Sequence, residues 1–363
     1  MAIEKLLPRI QKNILLKNYT TFKIGGPARY FFVAESKEDL IKAIQMAKKL
    51  DLPFFILGGG SNLLVSDEGY KGLVIKIQNT KYPDFIEDFP MKSRTLDEVG
   101  ARQSRNKIQN TKIMAEAGTA LGKLVSASVE KGLTGLEWAA GIPGTIGGAI
   151  YGNAAAFGTS IGQLVESVEA FDSKSLKIKK FSKRQCRFST KDNIFKRNKN
   201  QSTKQSFVLG RAHKIMCSDL IILSAILKLK KGNKKPTVHI QEIQNKIKEY
   251  LNYRKEKHPD QPSAGSVFVN PQIKIKNRKL LKQFPQLKEF NKKGFIPAAW
   301  LIEKCGLKGK RIGNVKISEK HANFIVNLGN GRASDVLKLI KLIKNKVKKR
   351  FGIKLEEEIE YLK

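Results

Sequence analysis

Cysteine is scarce. The 363 residues hold 3, Cys186, Cys217 and Cys305, odd in number and far apart. That excludes a disulfide framework and a thiolate metal site, and suits a reducing cytoplasm. No apolar run approaches the roughly 18–20 residues that span a bilayer. The opening "MAIEKLLPRIQKN" lacks the apolar core and small-residue cleavage site of a signal peptide. Histidine is equally sparse, at 4 residues (His213, His239, His258 and His321), and metal-ligand clusters are absent from the sequence, so no metal is expected. Acidic residues are few as well: 32 Asp+Glu stand against 69 Lys+Arg, for a formal net charge of +37. Such a charge invites a nucleic-acid reading. Yet the basic residues are mostly lysine, spread from "KNYTTFK" to "KLIKLIKNKVKKRFGIK". No helix-turn-helix, zinc-finger or RNA-recognition signature interleaves aromatics among them. A lysine-rich surface accounts for the charge, with salt-sensitive, non-specific binding as its by-product rather than specific nucleic-acid recognition.

What remains is a chain long enough for two or three packed domains, 41% hydrophobic and 28% charged, ordinary for a globular protein. "ARYFFVA" (28–34) reads as a strand. "SKEDLIKAIQMAKKL" (36–50) reads as a helix, with Ser36 at the N-cap, Glu38 and Asp39 in the first turn, and Leu40, Ile41, Ile44 and Ala47 at helical spacing. "PFFIL" and "GLVIKI" are strand-length apolar runs bounded by glycines. Residues 79–112 are polar, and "KIQNTK" occurs there at both ends, at 76–81 and 107–112, as expected of a surface insertion. Regular structure resumes with "IMAEAG" and the helix "ALGKLVSASVEKG". A basic stretch at 196–206 reads as a second loop. A helix from about 239 ends in the punctuated "HPDQPSAG", with a domain boundary near 235. The chain closes on the helix "SDVLKLIKLIKNKVKKRFG" and a strand, "IKLEEEIEYL".

Two tracts carry chemistry. In "ILGGGSNLLVSDEGYKGLVI", three glycines and then Ser61 and Asn62 follow a strand. Consecutive residues without Cβ let backbone amides form an anion-binding concavity, so Gly58, Gly59, Gly60, Ser61 and Asn62 fit a diphosphate cradle. The run is neither a Walker A loop nor GxGxxG, and a plain hairpin turn reads as well from these residues alone. The second tract, "GLEWAAGIPGTIGGAIYGNAAAFG", holds 7 glycines between Gly135 and Gly158. It cannot be a good helix throughout. It suits either a large planar ligand or a tightly packed helix–turn–helix.

The order of motifs is more telling than any one of them. "NYTTFKIGGPARYF", the two glycine tracts, "PSAGSVFVNP", "AAWLIEKCGLKG" and "LEEEIEYL" together resemble the UDP-N-acetylenolpyruvoylglucosamine reductase family of flavoenzymes, from about residue 18 to 362 apart from the two insertions. The stretch joining the last strand of the first domain to "PSAGS" is short, which is similar to the family subtype that lacks a long tyrosine-bearing loop. The resemblance implies an α+β fold. Residues 1–235 would form an FAD-binding domain of the vanillyl-alcohol-oxidase type in two subdomains, and 236–363 a C-terminal α+β substrate domain. Gly58–Asn62 would wrap the FAD pyrophosphate. Gly141, Ile142, Pro143, Gly144, Thr145, Gly147 and Gly148 would line the rest of the dinucleotide and the flavin. With no Cys or His in either tract, the FAD is expected to be non-covalent.

The resemblance also implies a reaction. NADPH reduces the flavin, and the hydride then passes to the vinyl ether of UDP-N-acetylglucosamine enolpyruvate, in the cytoplasm, on a monomer. Ser266 would be the proton donor and Glu358 a second catalytic residue, sharing a strand face with Glu356 and Glu360. Lys257 and Asn270 would bind substrate. At the third catalytic position the chain departs from the family. Where the family pattern is close to F-x-Y-R-x-S-x-F-K, this chain reads "FSTKDNIFK", so Thr190, Lys191 and Asn193 replace Tyr, Arg and Ser. Lys191 keeps the charge and loses the bidentate fork. Two readings therefore stand: a working reductase, or a degenerate flavin-binding paralogue with weak or no activity.

Overall fold

The computed structural model describes residues 3–78, 82–86, 110–196, 219–231 and 236–363. All but the first residue of the expected loop at 196–206 and most of the insertion at 79–112 lie outside these residues, as does Cys217. Packing divides the chain into two units that interleave along the sequence. One comprises Met1–Arg9, Phe32–Gly58 and Ile75–Tyr253; the other comprises Ile10–Phe31, Gly59–Val74 and Arg254–Lys363. Both mix helices with strands.

The first unit is organised on an antiparallel sheet. Its order is Lys177–Ser182, Val165–Asp172, Leu220–Lys231, Asn110–Glu116 and Asp84–Ile86, with the short strand Leu133–Thr134 also pairing to Leu220–Lys231. The edge strand Asp84–Ile86 and the first residues of Asn110–Glu116 come from the polar insertion, so part of that segment extends the sheet. Ile113, Val168, Leu227 and Leu229 are buried and meet Leu124, Trp138, Ile146 and Ile150 in one apolar core. The helix Lys37–Lys49 forms as its sequence dictates. The Ser36 side chain accepts the Asp39 amide at 3.1 Å, and Leu40, Ala43, Ile44 and Ala47 are buried.

In the second unit the antiparallel sheet runs Ser263–Ser266, Phe324–Asn327, Val315–Ile317 and Arg311–Ile312. The helix Ala333–Phe351 lays Val336, Leu339, Ile340, Ile343 and Val347 into its core and ends at Gly352, whose φ of 73° stops the helix. Its N-terminus carries no cap of its own at Arg332; the Asp67 carboxylate accepts instead from the amides of Ala333 and Ser334, at 2.7 and 3.0 Å. Burial raises the Asp67 pKa, but these amides and the Arg332 charge outweigh it, and the net shift is downward.

The C-terminal segment corrects one expectation. Only Glu360–Leu362 is a strand, in parallel register with Leu63–Val65. Residues before it pair elsewhere: the Val269 amide donates to Glu356 O, and the Glu358 amide to Val267 O. The segment changes partners around Ile359, which is why it is not one continuous strand.

Candidate active site

Within the first unit the two small-residue tracts meet. Gly58 ends the strand Phe54–Leu57, and a Cβ on it would lie 2.7 Å from Thr145 Oγ1. Thr145 caps the short helix Ile146–Tyr151 by accepting the Gly148 amide at 3.3 Å. That helix is pinned to the turn after Asn110–Glu116: the amides of Ile146 and Gly147 donate to Thr119 O and Ala117 O, both at 2.9 Å. A Cβ on Gly147 would reach Ala117 Cβ at 2.8 Å. Its first amides are therefore spent on the fold. Gly141, Pro143 and Gly148 are exposed, and the tract offers surface rather than a row of free donors. The Gly58 carbonyl accepts from the Lys76 ammonium, and burial lowers the Lys76 pKa. Sequence reasoning missed Lys76, because a lysine closing an apolar strand carries no motif.

Lys191 also belongs to this unit. It sits with a φ of 58° in a tight turn closed by the Ser189 amide on Asp192 O at 2.9 Å. The turn borders a cleft of about 380 Å³ that Lys183, Phe188 and Asn153 also line. Of these, only Lys191 was legible as a candidate, through its alignment in the motif.

The second unit holds Gly59 to Asn62 and the C-terminal candidates. Gly60 turns the chain with a φ of 63°, and a Cβ there would lie 2.2 Å from Tyr19 O. Among the described residues no hydrogen bond uses the amide of Gly59 or Ser61. Donors without partners beside residues of little bulk fit an anionic group such as a diphosphate. The Asn62 side chain donates to Glu358 O at 3.0 Å, and the Glu360 amide donates to Asn62 O at 2.9 Å.

The backbone beside Ser266 pairs with Glu358. Ser266 ends its strand opposite Phe324, and the next carbonyl, Val267 O, accepts the Glu358 amide at 2.8 Å. Buried Asn323 holds this stretch from the other side, donating to Phe268 O and accepting the Phe268 amide, at 2.8 and 3.0 Å. Asn270 accepts the Ala298 amide at 2.9 Å and so caps the helix Ala298–Lys304, whose own N-cap, Pro297, offers no side-chain bond. Lys257 is exposed at the end of the helix Pro236–Lys257.

Beside Lys257, His258 packs against Phe324 and His321, with ring centroids 5.0 and 5.8 Å away. Burial first, then the charges of Arg254 and His321, push His258 down to about 4 from an ordinary 6.5. Folded His258 stays neutral where an unfolded one takes up a proton. Its contribution is thus fully present above about pH 6.5, declines as pH falls toward about 4, and changes no further below that. Urea unfolding midpoints of a His258→Phe variant are expected to fall less between about pH 7 and about pH 5 than those of the parent. Equal slopes would assign the acid sensitivity to other groups.

Comparison with known proteins addresses the whole chain. Residues 257–362 match the family model of the UDP-N-acetylenolpyruvoylglucosamine reductase C-terminal domain, and residues 28–176 that of an FAD binding domain. A UDP-N-acetylenolpyruvoylglucosamine reductase of Caldanaerobacter subterraneus subsp. tengcongensis is 36% identical over 354 residues, covering 97% of this chain and 93% of that protein. One of Thermotoga maritima is 36% identical, covering 95% and 96%. The chain belongs to the UDP-N-acetylenolpyruvoylglucosamine reductase family.

The crystal structure of the Thermus caldophilus member, 29% identical, superposes with a TM-score of 0.65 over 98% of this chain and 99% of that one. The fold is the family's α+β arrangement, an FAD-binding domain followed by the C-terminal domain. The chain is an FAD-dependent oxidoreductase. Among the described residues no cluster of His, Cys, Asp or Glu could hold a metal ion, and no helix is long and apolar enough to cross a membrane.

Proposed function

We propose that this family member reduces the enolpyruvyl vinyl ether of UDP-N-acetylglucosamine enolpyruvate to UDP-N-acetylmuramate, a cytoplasmic step in making peptidoglycan precursors, with NADPH as the hydride source. The backbone bond from the Glu358 amide to Val267 O, next to Ser266, supports this reading most directly. Gly58 to Asn62 and the exposed residues of Gly141 to Gly148 hold the FAD without a covalent bond. Bound FAD supplies hydride-carrier chemistry; the rest falls to side chains. Hydride addition to the terminal vinyl carbon leaves enolate-like charge beside the substrate carboxylate, and that charge needs a cation and then a proton. Ser266 Oγ gives the proton to C2, Glu358 is the second catalytic residue, and the Lys191 ammonium stabilises the charge. Lys257 and Asn270 bind substrate from the C-terminal domain, which begins near residue 236. With Asn270 Oδ1 engaged by Ala298, its Nδ2 is the group that would donate to a substrate acceptor. The enzyme works as a monomer.

An anaerobic two-step titration tests this. NADPH is expected to bleach the bound flavin, and the enolpyruvyl sugar to restore its colour. Acid precipitation should leave all the colour in the supernatant. A flavin that bleaches and never recolours would favour the degenerate paralogue, and colour retained in the precipitate would refute non-covalent binding.

A further inference from the structure

Asn193 stands two residues beyond Lys191, where the family pattern has serine, and it is fully buried at 0% exposure. Every polar atom of its side chain is engaged. Nδ2 donates to the carbonyls of Ile150 and Tyr151, at 2.9 and 3.1 Å, and Oδ1 accepts the Phe195 amide at 3.0 Å. Ile150 and Tyr151 form the last turn of the helix Ile146–Tyr151, where carbonyls run out of intrahelical donors. One amide side chain thus closes the helix within the second glycine tract and ties the Lys191 turn to it. A serine hydroxyl has a single hydrogen and donates to one carbonyl at a time.

A second asparagine grips the other limb of the turn. Asn153, also buried, donates to Ser189 O at 2.7 Å and accepts the Gly162 amide at 3.1 Å. Phe188 lies so close to Gly162 that a Cβ there would fall 2.6 Å from the ring. Between these anchors the turn carries the Ser189–Asp192 backbone pairing, and Lys191 holds a left-handed conformation that is costly for a residue with a Cβ. Asn153 and Asn193 thus fix both limbs of the turn from outside it.

We propose that Asn193 is a positioning residue for the Lys191 ammonium, and that its two-donor amide accompanies the replacement of the family arginine by a lysine. A lysine side chain is a flexible point charge with no fork to orient it, so the backbone that carries it must be held more firmly. The proposal rests on Lys191 being the active-site cation.

Asn193→Ala is expected to retain flavin and to bleach with NADPH at the parent rate, while recolouring by the enolpyruvyl sugar slows by about 10–10²-fold, the scale of an ångström-sized misplacement. Asn193→Ser should slow it less, since one carbonyl keeps its donor. Amide hydrogen exchange in 189–195 should quicken in both variants. Combined with Lys191→Ala, Asn193→Ala should add no further loss, because both act on one group. Should Asn193→Ala fail to fold, Asn193→Ser carries the test. A flavin-loaded Asn193 variant that recolours at the parent rate beside a slow Lys191→Ala overturns the positioning role alone, as do losses that multiply in the double variant. A Lys191→Ala variant that recolours normally overturns the reading of Lys191 and this proposal with it.

Discussion

Ser266→Ala is expected to leave flavin bleaching by NADPH close to the parent rate and to slow recolouring by the enolpyruvyl sugar about 10²–10⁴-fold, the usual worth of one general acid. The hydroxyl acts only after hydride has left the flavin, so only the second half-reaction needs it. The backbone around it makes the substitution clean. Val267 and Phe268 are held by Asn323 on one side and by Glu358 on the other, through backbone groups that Ser266 does not supply. Alanine at 266 removes an oxygen and leaves the strand in place. Stopped-flow absorbance at the flavin band separates the two rates. Equal losses in both would mean that Ser266 positions the site rather than donating the proton.

Lys191→Ala is expected to cost about 10²–10³ in the recolouring rate, the typical penalty for losing one group aimed at developing negative charge. Lys191→Arg tests a different property. Both residues face the same left-handed backbone at this position, so the comparison isolates the head group. A guanidinium holds two acceptor oxygens at once, and an ammonium does not. If the site is merely weakened relative to the family, arginine raises the rate. If the Asn193 clamp has adapted the turn to lysine, arginine gains little. An alanine variant with unchanged turnover would place Lys191 outside the chemistry. Arg187, Lys196 and Lys183 would then be the cations to test, the last because it lines the same cleft.

Much of the local structure was legible. Ser36 and the spacing behind it specify the helix Lys37–Lys49, because a cap and an apolar stripe are local properties of a chain. The same holds for the long helix ending at Gly352, and for the short strands bounded by glycine at 54–57 and 70–77. The second tract proved to be a six-residue helix flanked by turns, as a run of glycine and alanine interrupted by proline allows. Partner choice was not legible. "IKLEEEIEYL" alternates like one strand, yet it divides its hydrogen bonds between Val267–Val269 and Leu63–Val65, and nothing within ten residues encodes which strand lies alongside.

By itself the sequence determined the family, the flavin, and the identities of Ser266, Glu358 and Lys191 as candidates, because ordered motifs survive as strings of residue types. Only the tertiary structure decided what surrounds them. Asn62 reaches Glu358 across 296 positions of chain, and Asp67 caps a helix 266 positions away. It also decided that Asn193 fastens to Tyr151, and that Lys76 donates to Gly58. These are hydrogen bonds of buried or half-buried polar groups, which must find partners somewhere once water is excluded. Which partner each one finds depends on how the sheets and helices pack, and packing is a property of the whole chain rather than of any segment of it.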